Sequence, residues 1–268
     1  MSSEKGSADQ KRSKRFEGKV ALIAGGAGAL GSTTARLFSQ EGARLVLCDL
    51  PSAEPKLKEL VTELLSLGSP AVIYVCGDLT NVEDVKKSVQ RSVDEFGGID
   101  ILFNSAGILQ DVNVYAVFLM MKYVANKMTE LGKGGVIINT SSLAGVKGSG
   151  LLFAYCASKF AVSGMTRAAA KSLAKSNIRV CAIAPHGLNG TKMHEETVDS
   201  VADLMMKPNP TQDKEKVKAN LRQLGLQTTP MGRFCQLNEA AEVVLFLCSK
   251  EASYITGVVL PIDGGDTA

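Results

Sequence analysis

The sequence predicts an α/β fold: a doubly wound parallel sheet of about seven strands, with helices on both faces, in a single domain. Three observations support this prediction. Short β-branched runs alternate with longer stretches of helical period, the strand-like runs are apolar on both faces, and a glycine-rich stretch, 25–31, lies between the first strand and the first helix. With 268 residues, the chain is long enough to bury one large core.

The strand candidates are short apolar runs rich in β-branched residues, and the helix candidates have apolar positions three and four residues apart. In chain order, the strands are predicted at 19–24, 44–48, 71–76, 100–103, 135–140, 178–184 and 257–262. The helices are predicted at 28–40, 56–67, 82–96, 114–131, 153–176 and 239–249. Because strands joined through helices pair in parallel, the residues after each strand should meet at one edge of the sheet, where ligands bind.

Two segments fall outside this alternation. Residues 1–15 have no apolar periodicity and carry many charges, which predicts a disordered tail before a folded domain at 16–268. Residues 192–230 contain amphipathic pieces but no strand, which predicts a lid inserted over the substrate side of the sheet. Its apolar residues favour a hydrophobic substrate, although packing of the lid on the domain explains them equally well. These residues are Met193, Leu204, Met205 and Met206.

The composition narrows the class of partner. A net charge of +3 with 21% charged residues is too small and too dispersed to favour nucleic acid, and no apolar run approaches the ~20 residues that cross a membrane. The six cysteines are scattered and the chain has two histidines, so no metal site is predicted. These features predict a cytoplasmic protein whose partner is a small molecule.

The glycine-rich stretch predicts a dinucleotide site. Gly26, Gly28 and Gly31 satisfy G-x-G-x-x-G directly after a strand and at the start of a helix. Small residues there let backbone N–H groups approach a pyrophosphate, which the positive end of the helix dipole also attracts. Asp49 follows the second strand, where a carboxylate binds both ribose hydroxyl groups and repels a 2′-phosphate. The pattern therefore predicts NAD rather than NADP.

A tyrosine and a lysine supply candidate acid–base chemistry. Tyr155 and Lys159 are four residues apart in a predicted helix, so they lie on one face. A neighbouring ammonium group lowers a tyrosine pKa from its usual value near ~10, which makes the pair usable as an acid and a base. Ser142, just after a predicted strand, is placed to direct its hydroxyl at the same substrate oxygen, and Ser141 is the close alternative.

The chain contains, in this order, the motifs FEGKVALIAGGAGALG, GDLT, NSAG, YCASK, IRVCAIAP and YITGVVLPIDGG. Together they resemble the short-chain dehydrogenase/reductase family, in its single-domain, Tyr-x-x-x-Lys form with a Rossmann-like fold. The resemblance extends over 16–265. The resemblance implies an NAD-dependent oxidoreductase that interconverts a secondary alcohol and a ketone, assembled as a homodimer or homotetramer.

The resemblance also implies a role for individual residues. Tyr155 would be the general acid/base, Ser142 would hold the substrate oxygen, and Lys159 would bind the nicotinamide ribose. Asn113 would hold a water in a proton relay. The implied cofactor-binding residues are Gly25, Gly28, Ala29, Leu30, Gly31, Asp49, Asp78, Leu79, Asn104, Ala106, Gly107, Tyr155, Lys159, Pro185, Gly187 and Thr191.

The chain departs from the family pattern at its glycine loop and at the entrance to the fourth helix. Ala24 and Ala29 stand where the family has threonine and glycine, and alanine fits only if position 29 does not need a positive φ. The link between Gly107 and Asn113 is short, which threatens the position of Asn113. These departures keep a second hypothesis open: a catalytically impaired family member that binds a dinucleotide.

A third departure follows the sixth strand. The family's Pro-Gly pair is split by His186 into Pro185-His186-Gly187. This insertion could bring His186 to the substrate or the nicotinamide, but the sequence favours a histidine on the loop surface. A further alternative for the whole chain is an NADP-dependent reductase of the 3-oxoacyl type, against which Asp49 argues.

Overall fold

A computed structural model describes residues 14–106, 112–207 and 212–268, without the side chains of residues 112 and 113. Its sheet has seven parallel strands: β1 (Val20–Ala24), β2 (Arg44–Asp49), β3 (Val72–Cys76), β4 (Ile101–Asn104), β5 (Gly135–Thr140), β6 (Ile178–Pro185) and β7 (Val259–Ile262). The strand order is β3-β2-β1-β4-β5-β6-β7, so the chain winds outward in both directions from β1 and β4. The predicted fold class is confirmed.

The helices are α1 (Ala29–Gln40), α2 (Glu54–Ser66), α3 (Val82–Phe96), α4 (Val112–Glu130), α5 (Phe153–Leu173), α6 (Lys192–Met206), α7 (Lys214–Thr228) and α8 (Leu237–Cys248). The proposed lid segment thus supplies α6 and α7. Among the described residues, no helix combines the length and apolar character needed to cross a bilayer. The predicted tail at 1–15 lies outside the described residues except for Lys14 and Arg15.

Both faces of the sheet are covered because its side chains alternate between them. On β1, Ala21 and Ile23 join a core with α1, α2 and α8, whereas Val20 and Leu22 join a core with α3, α4 and α5. The central strand is therefore buried on both sides. This explains why β1 is a continuous apolar run rather than an alternating one.

Local conformations explain the shifted boundaries. Helix α2 begins at Glu54, before the predicted start at 56, because Pro55 is favourable in the first turn of a helix. Strand β7 begins at Val259 rather than at 257, because Gly257 has a φ of 75° and cannot continue a strand. Helix α5 ends at Leu173, and 174–176 form a single 3₁₀ turn closed by left-handed Asn177.

Two glycines fix the loop between β1 and α1. Gly25 has a φ of 80°, and a Cβ there would lie 2.6 Å from the backbone nitrogen of Ala106. Gly31 lies in the first turn of α1, where a Cβ would overlap the carbonyl oxygen of Gly25. Only glycine at both positions lets the helix begin this close to the end of β1.

Matched glycine substitutions in two helices test this packing. Gly31→Ala should lower the free energy of unfolding by about 1–3 kcal/mol, because the methyl group forces the loop and α1 apart. Gly164→Ala should raise it by about 0.5–1 kcal/mol, because Gly164 is exposed on α5 and no described heavy atom lies within 4 Å of an added Cβ. Urea unfolding followed by circular dichroism measures both. Equal stability of the two variants would contradict the close approach of α1 to Gly25.

Candidate active site

A cavity of about 450 Å³ lies at the carboxyl edge of the sheet, between β5, α5, β6 and α6. Ser142, Tyr155 and Lys159 contribute to one wall, and Met193 and Val198 of α6 contribute to another. Of the apolar residues on which the hydrophobic-substrate prediction rests, Met193 lines the cavity. Leu204 and Met205 are 41% and 48% exposed instead.

Lys159 attaches helix α5 to the end of strand β5. Its side chain is 3% exposed, and Nζ donates a hydrogen bond of 3.0 Å to the carbonyl oxygen of Thr140. The same Nζ lies 5.7 Å from the centroid of the Tyr155 ring. The four-residue spacing therefore places both side chains on one helix face beside the cavity, as expected.

Burial controls the protonation of this pair. It lowers the pKa of Lys159 to about 8 and raises the pKa of Tyr155 above its usual value. Interaction with the Ser142 hydroxyl opposes the rise for Tyr155 but does not reverse it. The sequence predicts that Lys159 lowers the Tyr155 pKa. In the structure, desolvation of the phenol dominates instead, so the neutral phenol, a proton donor, is favoured.

The structure separates the two candidate serines. Ser141 is buried, and its Oγ lies 2.8 Å from the Ser163 Oγ and 3.1 Å from the carbonyl oxygen of Lys159, an acceptor. Ser142 precedes a short 3₁₀ helix, Leu143–Gly145, accepts from the backbone nitrogen of Ala144 and interacts with Tyr155. The geometry thus favours Ser142 as the hydroxyl that faces the substrate and gives Ser141 a structural hydrogen-bond network.

The loop before α1 leads to a helix N-terminus that suits an anion. Gly28 precedes the helix in an extended conformation, with a φ of −64° and no side-chain cap, and the first turn holds no acidic residue. Backbone N–H groups at an uncapped helix N-terminus suit a pyrophosphate. Ala29 is the first residue of α1, its φ is not positive, and its side chain is exposed, so alanine fits at this position. Leu30 is buried.

Asp49 lies at the rim of this loop. Its Oδ2 accepts a hydrogen bond of 2.9 Å from the backbone nitrogen of Ala27, and its Oδ1 accepts one of 2.9 Å from Leu50. The carboxylate is therefore held between the end of β2 and the glycine loop. This position suits a group that reads the ribose next to the pyrophosphate.

The loop after β3 is fixed by a carboxylate as well. The Asp78 Oδ1 accepts hydrogen bonds from the backbone nitrogen and the hydroxyl of Thr80, at 2.9 and 2.8 Å, which lowers the pKa of Asp78. Leu79 is 7% exposed and packs in the core under α3. Asp78 thus remains at the surface of the implied adenine end, whereas Leu79 points into the domain.

Asn104 is part of a buried amide network. Its Nδ2 donates to the Asn139 Oδ1 at 2.9 Å, and the Asn139 Nδ2 donates to the Thr166 Oγ1 at 2.9 Å. The network joins β4, β5 and α5 beneath the cavity, so the Asn104 side chain positions the strands. Ala106 contacts Gly25 through its backbone. Gly107 lies outside the described residues, as does the side chain of Asn113, whose backbone lies in the first turn of α4.

The segment after β6 forms one side of the cavity. Pro185 ends the strand, and Gly187 has a φ of 55°, where a Cβ would lie 2.6 Å from the Phe234 ring. Thr191 begins α6 and accepts from the backbone nitrogen of His194 at 3.1 Å. All three sequence-predicted positions, Pro185, Gly187 and Thr191, line the cavity.

The sequence analysis missed one cavity residue, Asp266, and gave a second one, His186, the less favourable interpretation. His186 lines the cavity with its side chain 23% exposed, so the interpretation as a loop-surface histidine is wrong. Asp266 lies 3.5 Å from it, between Oδ2 and Nδ1, and its side chain is 8% exposed. The rule that the residues after each strand meet at one edge could have found Asp266, because β7 pairs with β6.

Comparisons with known proteins agree with this fold. The profile of the short chain dehydrogenase family matches residues 19–202. The 3-oxoacyl-[acyl-carrier-protein] reductase FabG of Thermotoga maritima is 37% identical, with 94% of this chain and 98% of the relative covered. Secoisolariciresinol dehydrogenase of Forsythia intermedia is 35% identical, with 94% and 90% covered.

Solved structures give the same result. An NAD⁺-bound xylitol dehydrogenase has a TM-score of 0.84 and 35% identity, with 94% of this chain and 100% of that chain covered. Carveol dehydrogenase from Mycobacterium avium in complex with NAD has a TM-score of 0.82 and 26% identity, with 94% and 99% covered. The chain is thus an oxidoreductase with a nicotinamide-cofactor fold. It belongs to the short-chain dehydrogenase/reductase family.

The buried lysine predicts a pH-dependent stability. A folded pKa of about 8 against 10.5 means that the folded state disfavours the charged lysine, so the penalty is complete below pH 8 and disappears as the pH rises towards 10.5. Lys159→Met should therefore raise the free energy of unfolding near pH 7. The expected gain is roughly 1–3 kcal/mol after loss of the hydrogen bond to Thr140.

Urea unfolding at a series of pH values measures this difference between the variant and the wild type. The gain should be constant below pH 8 and should shrink above it. Lys171→Met is the matched control on the exposed face of α5 and should change stability little at every pH. A gain that grows with pH would contradict the assigned burial of the ammonium group.

Proposed function

We propose that this protein is an NAD-dependent oxidoreductase that interconverts a secondary alcohol and a ketone, with Tyr155 as the general acid/base. The observation that carries the proposal is the cavity in which Ser142 and Tyr155 meet beside buried Lys159, at the same sheet edge as the uncapped α1 terminus. When bound, the nicotinamide accepts or donates the hydride.

The residues of the chain supply positioning and proton transfer. Ser142 holds the substrate oxygen next to the Tyr155 hydroxyl, which gives its proton to a forming alkoxide during reduction and takes the proton back during oxidation. Lys159 holds Nζ at the Thr140 carbonyl, 5.7 Å from the centroid of the Tyr155 ring, where it would bind the nicotinamide ribose. Asn113 belongs to this catalytic proposal as the residue that would hold a relay water.

The cofactor preference rests on charge. The Asp49 carboxylate is fixed at the loop by Ala27, where it would accept hydrogen bonds from the adenosine ribose and repel a 2′-phosphate. Solved relatives in complex with NAD support this assignment. The 3-oxoacyl reductase relative supports the alternative of a reductase, and the charge of Asp49 favours NAD in either case.

The segment 192–230 is proposed as the substrate lid of a single domain that spans 16–268. Helices α6 and α7 face each other through ion pairs of Lys214 and Lys218 with Asp199, and α6 turns Val198 and Val201 towards the cavity. These apolar side chains favour a substrate with a hydrophobic body.

Assembly and compartment complete the proposal. Large apolar side chains remain exposed on α4 and α5, among them Tyr115, Phe118, Phe153 and Phe160, which supports a homodimer or homotetramer. All six cysteines are free thiols, which supports a reducing compartment such as the cytoplasm.

Removal of one hydroxyl tests the catalytic role. Tyr155→Phe should lower kcat by about 10²–10⁴-fold, because the variant has no proton to exchange with the substrate oxygen. Absorbance of the reduced nicotinamide measures turnover of a panel of secondary alcohols, and calorimetry measures NAD binding. Tyr254→Phe, at a fully exposed tyrosine, should leave the rate unchanged. Turnover that survives in Tyr155→Phe contradicts the mechanism. NAD binding by the wild type without turnover of any alcohol or ketone supports the impaired-member alternative.

A charge substitution tests the cofactor preference. Asp49→Asn keeps an oxygen that can accept from Ala27 but removes the negative charge. The ratio of kcat/KM for NAD to that for NADP should fall at least about tenfold, which corresponds to about 1.4 kcal/mol. Asp94→Asn, on exposed α3, provides the same substitution away from the loop. An unchanged ratio in Asp49→Asn rules out this residue as the discriminator.

A further inference from the structure

We infer that the cavity contains a second polar site, formed by His186 and Asp266, that binds a second hydroxyl group of the substrate. The inference rests on the proposed function and narrows its substrate class to alcohols that carry another hydroxyl group, such as diols. It assigns His186 and Asp266 as specificity-determining residues, distinct from the residues that exchange protons with the reacting oxygen.

The topology brings His186 close to the cavity wall formed by Ser142, Tyr155 and Lys159. Thr140 at the end of β5 pairs with Ile183 of β6, so Ser142 and His186 both follow the ends of neighbouring strands. Neighbouring strands are about 4.8 Å apart. The His186 backbone nitrogen donates to the Ile262 carbonyl at 3.0 Å, which anchors it to β7 as well. A molecule whose reacting oxygen lies at Ser142 can therefore extend to His186 within one cavity.

The Nδ1 side of the His186 ring is occupied by the protein. Nδ1 lies 3.5 Å from the Asp266 Oδ2 and 3.4 Å from the Thr229 Oγ1. Within the described part of the chain, no hydrogen-bond partner of Nε2 is present. A carboxylate beside Nδ1 favours the tautomer with its proton on Nδ1, which leaves Nε2 as an acceptor.

The charges around the pair favour a neutral ligand group. Burial lowers the pKa of His186, so the imidazole is neutral at neutral pH despite the nearby Asp266. The other Asp266 oxygen, Oδ1, forms an ion pair of 2.8 Å with Lys147. The carboxylate is thus already compensated and does not call for a cationic substrate. A hydroxyl group, which donates to Nε2 without bringing a charge, fits this arrangement best.

Apolar side chains also lie near the pair. Leu188, Met193 and Phe234 line the cavity, and His194 packs its ring against Phe234 at 4.9 Å between centroids. A polar pair next to apolar side chains fixes the orientation of a ligand more than its affinity. A site built to bind a hydroxyl group also discriminates against the analogue without it, because its polar atoms then remain unpaired.

Matched substrates test the inference. The probes are isomeric decalins with two secondary hydroxyl groups, each compared with the decalin that carries only one of them. For the wild type, kcat/KM should be at least about tenfold higher for the best diol than for its single-hydroxyl counterpart. In His186→Ala, this ratio should fall to about one, mainly through a higher KM for the diol. His186→Gln, which restores an acceptor, should recover part of the ratio, and Asp266→Asn should lower it.

Two controls separate this site from other roles. Asp94→Asn, exposed on α3 and outside the cavity, makes the same substitution as Asp266→Asn and should keep the diol ratio. The KM for NAD should not change in His186→Ala. A ratio near one in the wild type overturns the inference. An unchanged ratio in His186→Ala together with a raised KM for NAD also overturns the inference, because His186 then contributes to binding of the cofactor and not of the second hydroxyl group.

Equilibrium binding distinguishes failure of this inference from failure of the proposed function. Calorimetry with the Tyr155→Phe variant, saturated with NAD, compares the affinity of each diol with that of its single-hydroxyl counterpart. Selective binding of a diol that no condition turns over contradicts the proposed reaction but supports the second polar site. Equal binding of both compounds, or binding of neither, overturns the site.

Discussion

The cavity wall formed by Ser142, Tyr155 and Lys159 depends on one buried ammonium group, that of Lys159. Lys159 Nζ donates to the Thr140 carbonyl where β5 ends, and this bond fixes the first turns of α5 against the sheet. Tyr155 lies one turn earlier on the same helix, so its hydroxyl is placed beside Ser142 by the same contact. The fold accepts an unfavourable burial of charge here, and the lowered pKa of Lys159 is the direct consequence.

Hydrogen bonds between buried uncharged side chains hold the strand ends and α5 together next to Lys159. The amides of Asn104 and Asn139 join β4 to β5, and Thr166 joins both to α5. Ser141 adds contacts to α5 through Ser163. Because these buried amides and hydroxyl groups bond to one another across β4, β5 and α5, the strand ends and the helix cannot shift separately without leaving one of them unpaired. The geometry of the cavity is therefore set before any ligand binds.

The spacing of apolar residues predicted the strands and helices, because buried positions recur at a regular interval along each element. It could not predict what depends on distant pairing. His186 was interpreted as a surface residue, since nothing near it in the chain shows that β7 places Asp266 beside it. The direction of the Tyr155 pKa was missed for the same reason. A four-residue spacing reveals the neighbouring lysine, but the burial that outweighs it comes from several elements that pack around the phenol.

The pKa values of Tyr155 and Lys159 shift in opposite directions, and this affects which of the two groups loses its proton first. With the phenol pKa raised and the ammonium pKa lowered to about 8, the lysine loses its proton before the tyrosine does. Burial therefore favours a neutral phenol, the form that would donate a proton to a carbonyl oxygen in the proposed reduction. In the proposed oxidation, a phenolate base would need additional positive charge close to it, which an oxidised nicotinamide would supply when bound. On this proposal, the preference of Tyr155 for donating or accepting a proton would depend on the charge of the cofactor and not on Lys159 alone.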